Sequence, residues 1–247
     1  MKAMIFAAGL GTRLKPITDT LPKALVPICG RPLIAYVLDK LCAAGYDEIV
    51  VNVHHFAGKI KDYLESGGFP AHVSISDESD LLRETGGGIL YARPLLEGSG
   101  DFLVHNVDII SDLDLRWFRE QAPPGALSTL LVSERKTQRY LLFDAQMRLV
   151  GWTNIATGEV RSPYPGLDPS TCRRYAFSGI HNISSVIFDV FDSYGCPERF
   201  PIVDFYLKAC ADHPIYGVVP PSLTMVDVGK LETLHEAGKV YRSILAT

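Results

Sequence analysis

The sequence is short of cysteine, of positive charge and of long apolar runs, and each shortage closes a class of function. Its five cysteines, Cys29, Cys42, Cys172, Cys196 and Cys210, are odd in number and never spaced as CxxC. That argues against a disulfide frame or a cysteine-based zinc module and predicts free thiols in a reducing compartment. The formal net charge is −4. With no basic surplus, a nucleic-acid partner is not expected, and any anionic ligand must be met by a few local cations. No apolar run is long enough to span a bilayer, and no apolar leader with a cleavage site opens the chain. The expectation is a soluble cytoplasmic protein without a membrane partner. There is no repeat of 20–50 residues, no low-complexity tract and no C-terminal hexapeptide β-helix repeat. Nothing predicts the oligomeric state beyond monomer or dimer.

What is present is an alternation of strand and helix patterns. The 247 residues are 47% hydrophobic, ample for a buried core. Strands are predicted at Lys2–Ala7, Glu48–Val53, Ala71–Ser76 and Asp101–His105. Helices are predicted at Arg31–Ala44, Ala57–Glu65 and Gly87–Leu96. This rhythm predicts an α/β fold, a three-layer, Rossmann-like, mainly parallel sheet covered on both faces. After residue 125 come strands at Ala126–Val132, Tyr140–Asp144, Arg148–Trp152 and Tyr175–Ile183, a Pro/Gly-rich loop at Gly158–Thr171, and helices near 184–192, 202–212 and 230–245.

The sharpest feature is AAGLGTRLKPITDTLPKALVPI, residues 7–28. A buried strand runs into Ala8, Gly9, Gly11, Thr12 and Arg13, and Lys23 follows. Glycines just after a strand let the backbone turn tightly, and their exposed N–H groups can cradle phosphate oxygens. Arg13 and Lys23 add positive charge at the same sheet edge, where open α/β sheets bind ligands. A Walker A loop is excluded because no Lys-Ser/Thr pair follows the last glycine. A dinucleotide fingerprint is excluded because Leu14 takes the third glycine position, and Asn52, Val53 and His54 end the second strand with no acidic residue.

GLGTRLKPIT…LPKALVPI resembles the signature of the sugar-phosphate nucleotidyltransferases, the NDP-sugar pyrophosphorylases. The likeness is strongest over residues 1–110 and returns near 175–180 and 225–230. It implies a fold of the nucleotide-diphospho-sugar transferase type, and a single catalytic domain over 1–247. Residues 1–110 would be its nucleotide-binding part and 111–247 its sugar-phosphate-binding part. The implied substrates are a nucleoside triphosphate and a sugar 1-phosphate, giving an NDP-sugar and pyrophosphate. The resemblance carries catalytic roles onto Arg13 and Lys23, and it is closest to the short members of the family.

Two further constellations fit. In DFLVHNVD, apolar strand residues end at Asn106, Val107 and Asp108; in TMVDVG, Asp227 follows an apolar stretch. Magnesium takes hard oxygens, commonly one or two carboxylates plus phosphate and water. The family holds its metal on two aspartates at these places, which implies Mg2+ on Asp108 and Asp227. Val107 departs from the family's usual glycine, and a β-branched residue there would constrain the backbone. Asp112-Leu113-Asp114 looks like a D-x-D metal motif, but acidic residues just before LRWFREQ are explained with less assumption as a helix N-terminus. Adjacent His54 and His55 read as packed or surface residues.

LLRETGGGILYA places Glu84, Thr85 and Gly86 as candidates for the nucleobase, by resemblance to the family's base-contacting segment. AFSGI places Ser178 and Gly179 beside the sugar phosphate on the same ground. Relatives also carry a Glu-Lys pair before this segment; GEVRSP here offers Glu159 and Arg161 in its place, or a solvated loop. Three other readings compete. One is a cytidylyltransferase acting on phosphocholine or another small phosphate, favoured if Tyr175 or Trp152 cages a quaternary amine. Another is a glycosyltransferase using Asp112 and Asp114. The last is a non-catalytic nucleotide-sugar-binding regulatory subunit, against which the joint presence of Arg13, Lys23, Asp108 and Asp227 argues.

Overall fold

The computed structural model describes residues 1–98 and 100–245. β1 (Lys2–Phe6) runs into the glycine loop, three 3-10 turns, and a ribbon of β2 (Pro27–Ile28) and β3 (Arg31–Pro32). Then come α1 (Leu33–Ala43), β4 (Glu48–Val53), α2 (Ala57–Ser66), β5 (His72–Asp77), α3 (Glu84–Tyr91), α4 (Arg93–Leu96) and β6 (Asp101–Asn106). β7 (Ile109–Ser111) and α5 (Leu115–Glu120) follow, then β8 (Ser128–Ser133), β9 (Arg139–Phe143), β10 (Leu149–Asn154), β11 (Glu159–Arg161) and the long β12 (Arg173–Ser184). The chain closes with α6 (Ile187–Ser193), α7 (Ile202–Ala209), β13 (Ile215–Val218), β14 (Met225–Asp227) and α8 (Leu231–Leu245).

The inner strands β1, β4 and β6 are mostly apolar on both faces because both faces are covered. Successive side chains of a strand point to opposite sides. Ala3 and Ile5 of β1, Ile49, Val51 and Val53 of β4 and Leu103 of β6 pack with α1, α2 and α5. Met4, Val50, Phe102 and Val104, one residue out of phase, pack with α3, α4, α6 and α7. These are the three expected layers.

The main sheet runs β11-β10-β9-β12-β6-β1-β4-β5, with β8 also on β12 and β13 on β8. β5, β4, β1 and β6 are parallel, as expected; β12 joins β6 antiparallel and turns the sheet mixed. In the parallel part, Phe6 is level with Asn52 on one side and Asn106 on the other. The glycine loop, the end of β4 and the Asn106–Asp108 turn therefore leave the sheet at one carboxyl edge. A separate ribbon pairs β14 with β7 antiparallel, with Asp227 opposite Ile109. A third apolar cluster, including Leu14, Ile28, Tyr36, Ile110, Val226 and Ala237, seats α8 against this ribbon.

Four expectations need correction. Arg31 and Pro32 pair with β2 instead of opening α1. β11 crosses the segment read as loop, because Glu159–Arg161 extends the sheet edge beside Asn154–Trp152. The triple glycine does not open a helix but lies inside α3, which begins at Glu84. The helical pattern over 87–96 is two helices, broken at Ala92 ahead of the Arg93-Pro94 start of α4. No helix among the described residues is long and apolar enough to cross a membrane.

Candidate active site

The glycine loop is shaped by its own neighbours. Gly11 has φ +64°, and a Cβ there would meet Thr18 Cγ2 at 2.9 Å and Lys23 Cβ at 3.1 Å. Only glycine takes that conformation and that space without strain. The Gly11 carbonyl accepts the Leu14 N–H and the Thr18 hydroxyl, both at 2.9 Å, so Thr12 and Arg13 lie on a closed turn. The second turn then returns Lys23 to the sheet edge, where its ammonium pairs with the Asp108 carboxylate; both side chains are largely buried.

A cavity of about 370 Å³ opens at this edge. Seven of the residues singled out in the sequence line it: Ala8, Gly9, Lys23, Glu84, Thr85, Asn106 and Asp108. Phe6, Ala7, Asn52, Leu82 and Val107 complete it. Val107 is not among the residues with positive φ, and its N–H donates to the Phe6 carbonyl at 3.2 Å. The backbone here needs no glycine, and the valine side chain joins the core with Ile109 and Leu113.

Asp227 reaches the same place from the far end of the chain. The β7–β14 pairing sets it beside Asp108, and the Val228 N–H donates to the Asp108 carbonyl at 2.8 Å. A Cβ on Gly229 would lie 2.9 Å from both Arg13 Nη2 and Asp227 Oδ1, which puts the arginine beside this carboxylate. Burial holds the Asp227 carboxyl above the usual range, and the Asp108 charge adds to this; Lys23, Arg13 and Arg135 oppose it. Asp227 Oδ1 is buried and has no hydrogen-bond partner. An orphaned buried carboxylate oxygen next to a second carboxylate is the donor set a hard divalent cation fits. No third His, Cys, Asp or Glu converges there among the described residues, so phosphate and water would complete the shell.

The base-side segment divides its labour. Glu84 and Thr85 line the cavity, but the Thr85 hydroxyl accepts the Ile202 N–H at 2.9 Å and so anchors α7. Glu84 adopts φ +61° and its carboxylate takes the Arg199 guanidinium at 3.0 Å. Gly86 is buried; its N–H donates to the Phe200 carbonyl at 2.8 Å, and a Cβ would strike the Phe200 ring at 2.2 Å.

Residues 177–179 run from a second cavity of about 570 Å³, which Phe177 lines, to Asn106. Gly179, at φ +73°, leaves room for Asn106, whose Nδ2 would stand 2.6 Å from a Cβ. Ser178 is 1% exposed and bonds Ser133 at 3.3 Å, so its side chain faces the interior. Phe177 lines the second cavity together with Arg135, Arg139, Trp152, Glu159 and Arg161. Arg161 pairs with Asp204 and lies over the Trp152 ring at 4.8 Å. Tyr175 packs on Phe143. Arg135, which donates to the Phe177 carbonyl at 3.3 Å and acts on Asp227, was not singled out in the sequence. Nothing in VSERKTQR distinguishes a site arginine from a surface one.

The D-x-D pair is structural. Asp114 caps α5, accepting the N–H groups of Arg116 and Trp117 at 2.8 and 3.2 Å, an arrangement worth ~1 kcal/mol. Asp112 accepts the Thr224 N–H at 2.9 Å and ties β14 down. His54 is packed through Nδ1 against the Glu78 carbonyl at 2.6 Å, and His55 lies on Phe56.

Among known proteins, the chain is 32% identical over 230 residues to N-acetylmuramate α-1-phosphate uridylyltransferase of Caulobacter vibrioides, covering 90% of each chain. It is 45% identical over 115 residues to the protein of the same name from Neisseria meningitidis, covering 46% of this chain and 49% of that one. In three dimensions it resembles HddC from Yersinia pseudotuberculosis, with a TM-score of 0.75 over 97% of this chain and 99% of that one at 22% identity. Residues 2–140, which carry the glycine loop, Lys23 and Asp108, match the nucleotidyl transferase family model, and the chain belongs to that family.

Proposed function

We propose that the protein transfers a nucleotidyl group from a nucleoside triphosphate to a sugar 1-phosphate, making an NDP-sugar and pyrophosphate. The observation that carries this reading is the meeting of Arg13, Lys23, Asp108 and Asp227 at one sheet edge, beside a cavity floored by the glycine loop. The relatives' activity on a sugar 1-phosphate supports it. Residues 1–110 form the nucleotide side and 111–247 the sugar-phosphate side of one catalytic domain.

The reaction needs positioning and charge neutralisation more than acid–base help. A sugar 1-phosphate has a second pKa of about 6 and is largely dianionic at neutral pH, so it is already a nucleophile for the α-phosphorus. Gly9, Gly11 and Thr12 present the loop backbone to the β- and γ-phosphates, and Arg13 adds charge beside them. Lys23 stabilises charge on the α-phosphoryl group, and on the pyrophosphate as it leaves. Asp108 and Asp227 would hold a divalent cation, read as Mg2+, which when bound supplies further charge neutralisation to the triphosphate. Glu84, Thr85, Gly86 and Asn106 bound the base and ribose end. Gly179, with Ser178 behind it, and Glu159 bound the sugar phosphate.

The second cavity favours a sugar phosphate over phosphocholine. Arg135, Arg139 and Arg161 line it, and the Trp152 face is already covered by Arg161. A quaternary amine would meet cations where it needs an open aromatic cage. The glycosyltransferase reading loses its metal pair, since Asp112 and Asp114 are both engaged by backbone N–H groups. A matrix of five nucleoside triphosphates against sugar 1-phosphates and phosphocholine, scored by pyrophosphate release, tests the reading. Turnover confined to a sugar 1-phosphate is expected; turnover with phosphocholine alone, or with nothing, rejects it.

A further inference from the structure

The first two peptides of the glycine loop are held by a side chain from the neighbouring strand. Asn52, at the end of β4 and 2% exposed, accepts the N–H of Ala7 at 2.8 Å and of Ala8 at 3.3 Å through Oδ1. Its Nδ2 donates to Glu78 Oε1 at 2.8 Å. The carboxamide is thereby fixed in one orientation: two N–H groups face its oxygen and a carboxylate faces its nitrogen. Glu78 is fully buried, and its other oxygen accepts the Arg83 N–H at 3.2 Å. Gly88 makes room for the pair, since a Cβ there would lie 2.9 Å from Glu78 Oε1 and 3.2 Å from Asn52 Nδ2.

Burying a carboxylate is costly, and a sheet edge needs none to stay folded. Here the relay ends on a nucleotide-lining loop: Ala7, Ala8 and Asn52 all border the 370 Å³ cavity. We propose that Asn52 and Glu78 are positioning residues for the phosphate loop. The Glu78 carboxylate fixes the Asn52 carboxamide, and the Asn52 oxygen sets the direction in which the chain leaves β1. This rests on the reading of that cavity as the nucleotide site. It leaves the N–H groups of Gly9, Gly11 and Thr12, short of the Leu14 N–H that closes the turn on Gly11, as those that meet phosphate.

The pair can be exchanged without changing its shape. Asn52→Asp keeps an acceptor for Ala7 and Ala8 but sets a second carboxyl against Glu78. At low pH the two share a proton; at high pH both ionise and repel. Arg83 and His54, the charged and titratable groups that act on Glu78, are the same in every variant. Glu78→Gln together with Asn52→Asp restores one donor and one acceptor at the junction.

Binding is measured by calorimetry from pH 6 to 9 with UTP, and with tripolyphosphate as a base-free probe, alongside the KM of each substrate. The expected result for Asn52→Asp is affinity for both probes falling about tenfold between pH 6 and 9, with the sugar-phosphate KM unchanged. The double variant should stay within about threefold of wild type throughout. Wild-type affinity in Asn52→Asp across that range overturns the proposal. So does an equal loss at all pH values in the single and double variants, which would mark a packing role only. A wild type that binds neither probe overturns the nucleotide reading itself, a distinguishable failure.

Discussion

The Val228 N–H donates to the carbonyl of Asp108 at 2.8 Å, and this bond ties the two ends of the candidate site together. Around it stand both aspartates, each with a different environment. Asp108 is paired with Lys23, whereas Asp227 keeps an orphaned oxygen in a buried position.

That difference predicts different stabilities for two variants of equal inactivity. Asp108→Asn and Asp227→Asn should each lower turnover roughly a hundredfold or more, the scale of a lost electrostatic contact in a transition state. Asp227→Asn should keep or raise the melting temperature, because burial already penalises its charge. Asp108→Asn should lower it, since Lys23 loses its partner. Pyrophosphate release and thermal melts decide; near wild-type turnover in both would remove the metal assignment.

Lys23 should serve the chemical step more than ground-state binding. Lys23→Ala is expected to cut kcat and kcat/KM together, about a hundred- to thousandfold, whereas loss of uniform binding would raise KM alone. Lys23→Arg should rescue only in part, because a planar guanidinium does not fit a compact ammonium site. Steady-state kinetics at saturating substrates are the check, and a kcat within a few-fold of wild type would return Lys23 to a structural role.

Stability should fall as pH drops below about 6.5. His105 and His181 are fully buried, and burial pushes their pKa values down to about 4 and about 3. Unfolding frees both to titrate near 6.5, so between that value and about 4 the unfolded chain binds more protons and folding loses free energy. The slope is about 1.4 kcal/mol per pH unit for each histidine. Urea unfolding at pH 5, 6 and 7 should show it, and His105→Gln should reduce the slope by about one proton. An unchanged slope would mean that His105 is reached by protons in the folded state.

The triple glycine should tolerate alanine unequally. A Cβ at Gly86 meets the edge of the Phe200 ring, which can tilt, while one at Gly87 meets the Glu198 carbonyl oxygen at 2.2 Å. Gly87→Ala is therefore expected to destabilise by about 1–3 kcal/mol, and more than Gly86→Ala. Melts of the two variants test the order; equal or reversed losses would show that the 198–200 backbone yields as easily as a ring.

Much of this is legible in the sequence because β1, β4 and β6 are buried on both faces. Glu48–Val53 reads as a strand and is one, buried from Ile49 to Val53. Lys2–Ala7 and Asp101–His105 differ from β1 and β6 by a single residue. The glycine loop, Lys23 and Asp108 follow such strands and inherit their clarity. What stayed hidden is what tertiary contact creates. β7 and β14 have three residues each, too few for any periodicity. β13, in a Pro-flanked PIYGVVPP, exists because β8 pairs with it. Asn52 stands out in the sequence only as a missing acid, and Glu78 and Arg135 not at all, since their partners lie on other strands.

The β7–β14 ribbon also sets a schedule. A chain emerging from a ribosome has the glycine loop, Lys23 and Asp108 early, and β6 can join β1 and β4 soon after. The second carboxylate arrives only when β14 docks on β7, long after β6 and β7 have been made. A nascent or truncated chain ending before Met225 could hold the nucleotide-facing surface yet lack Asp227. Assembly order thus places completion of the aspartate pair after the nucleotide-facing surface has formed.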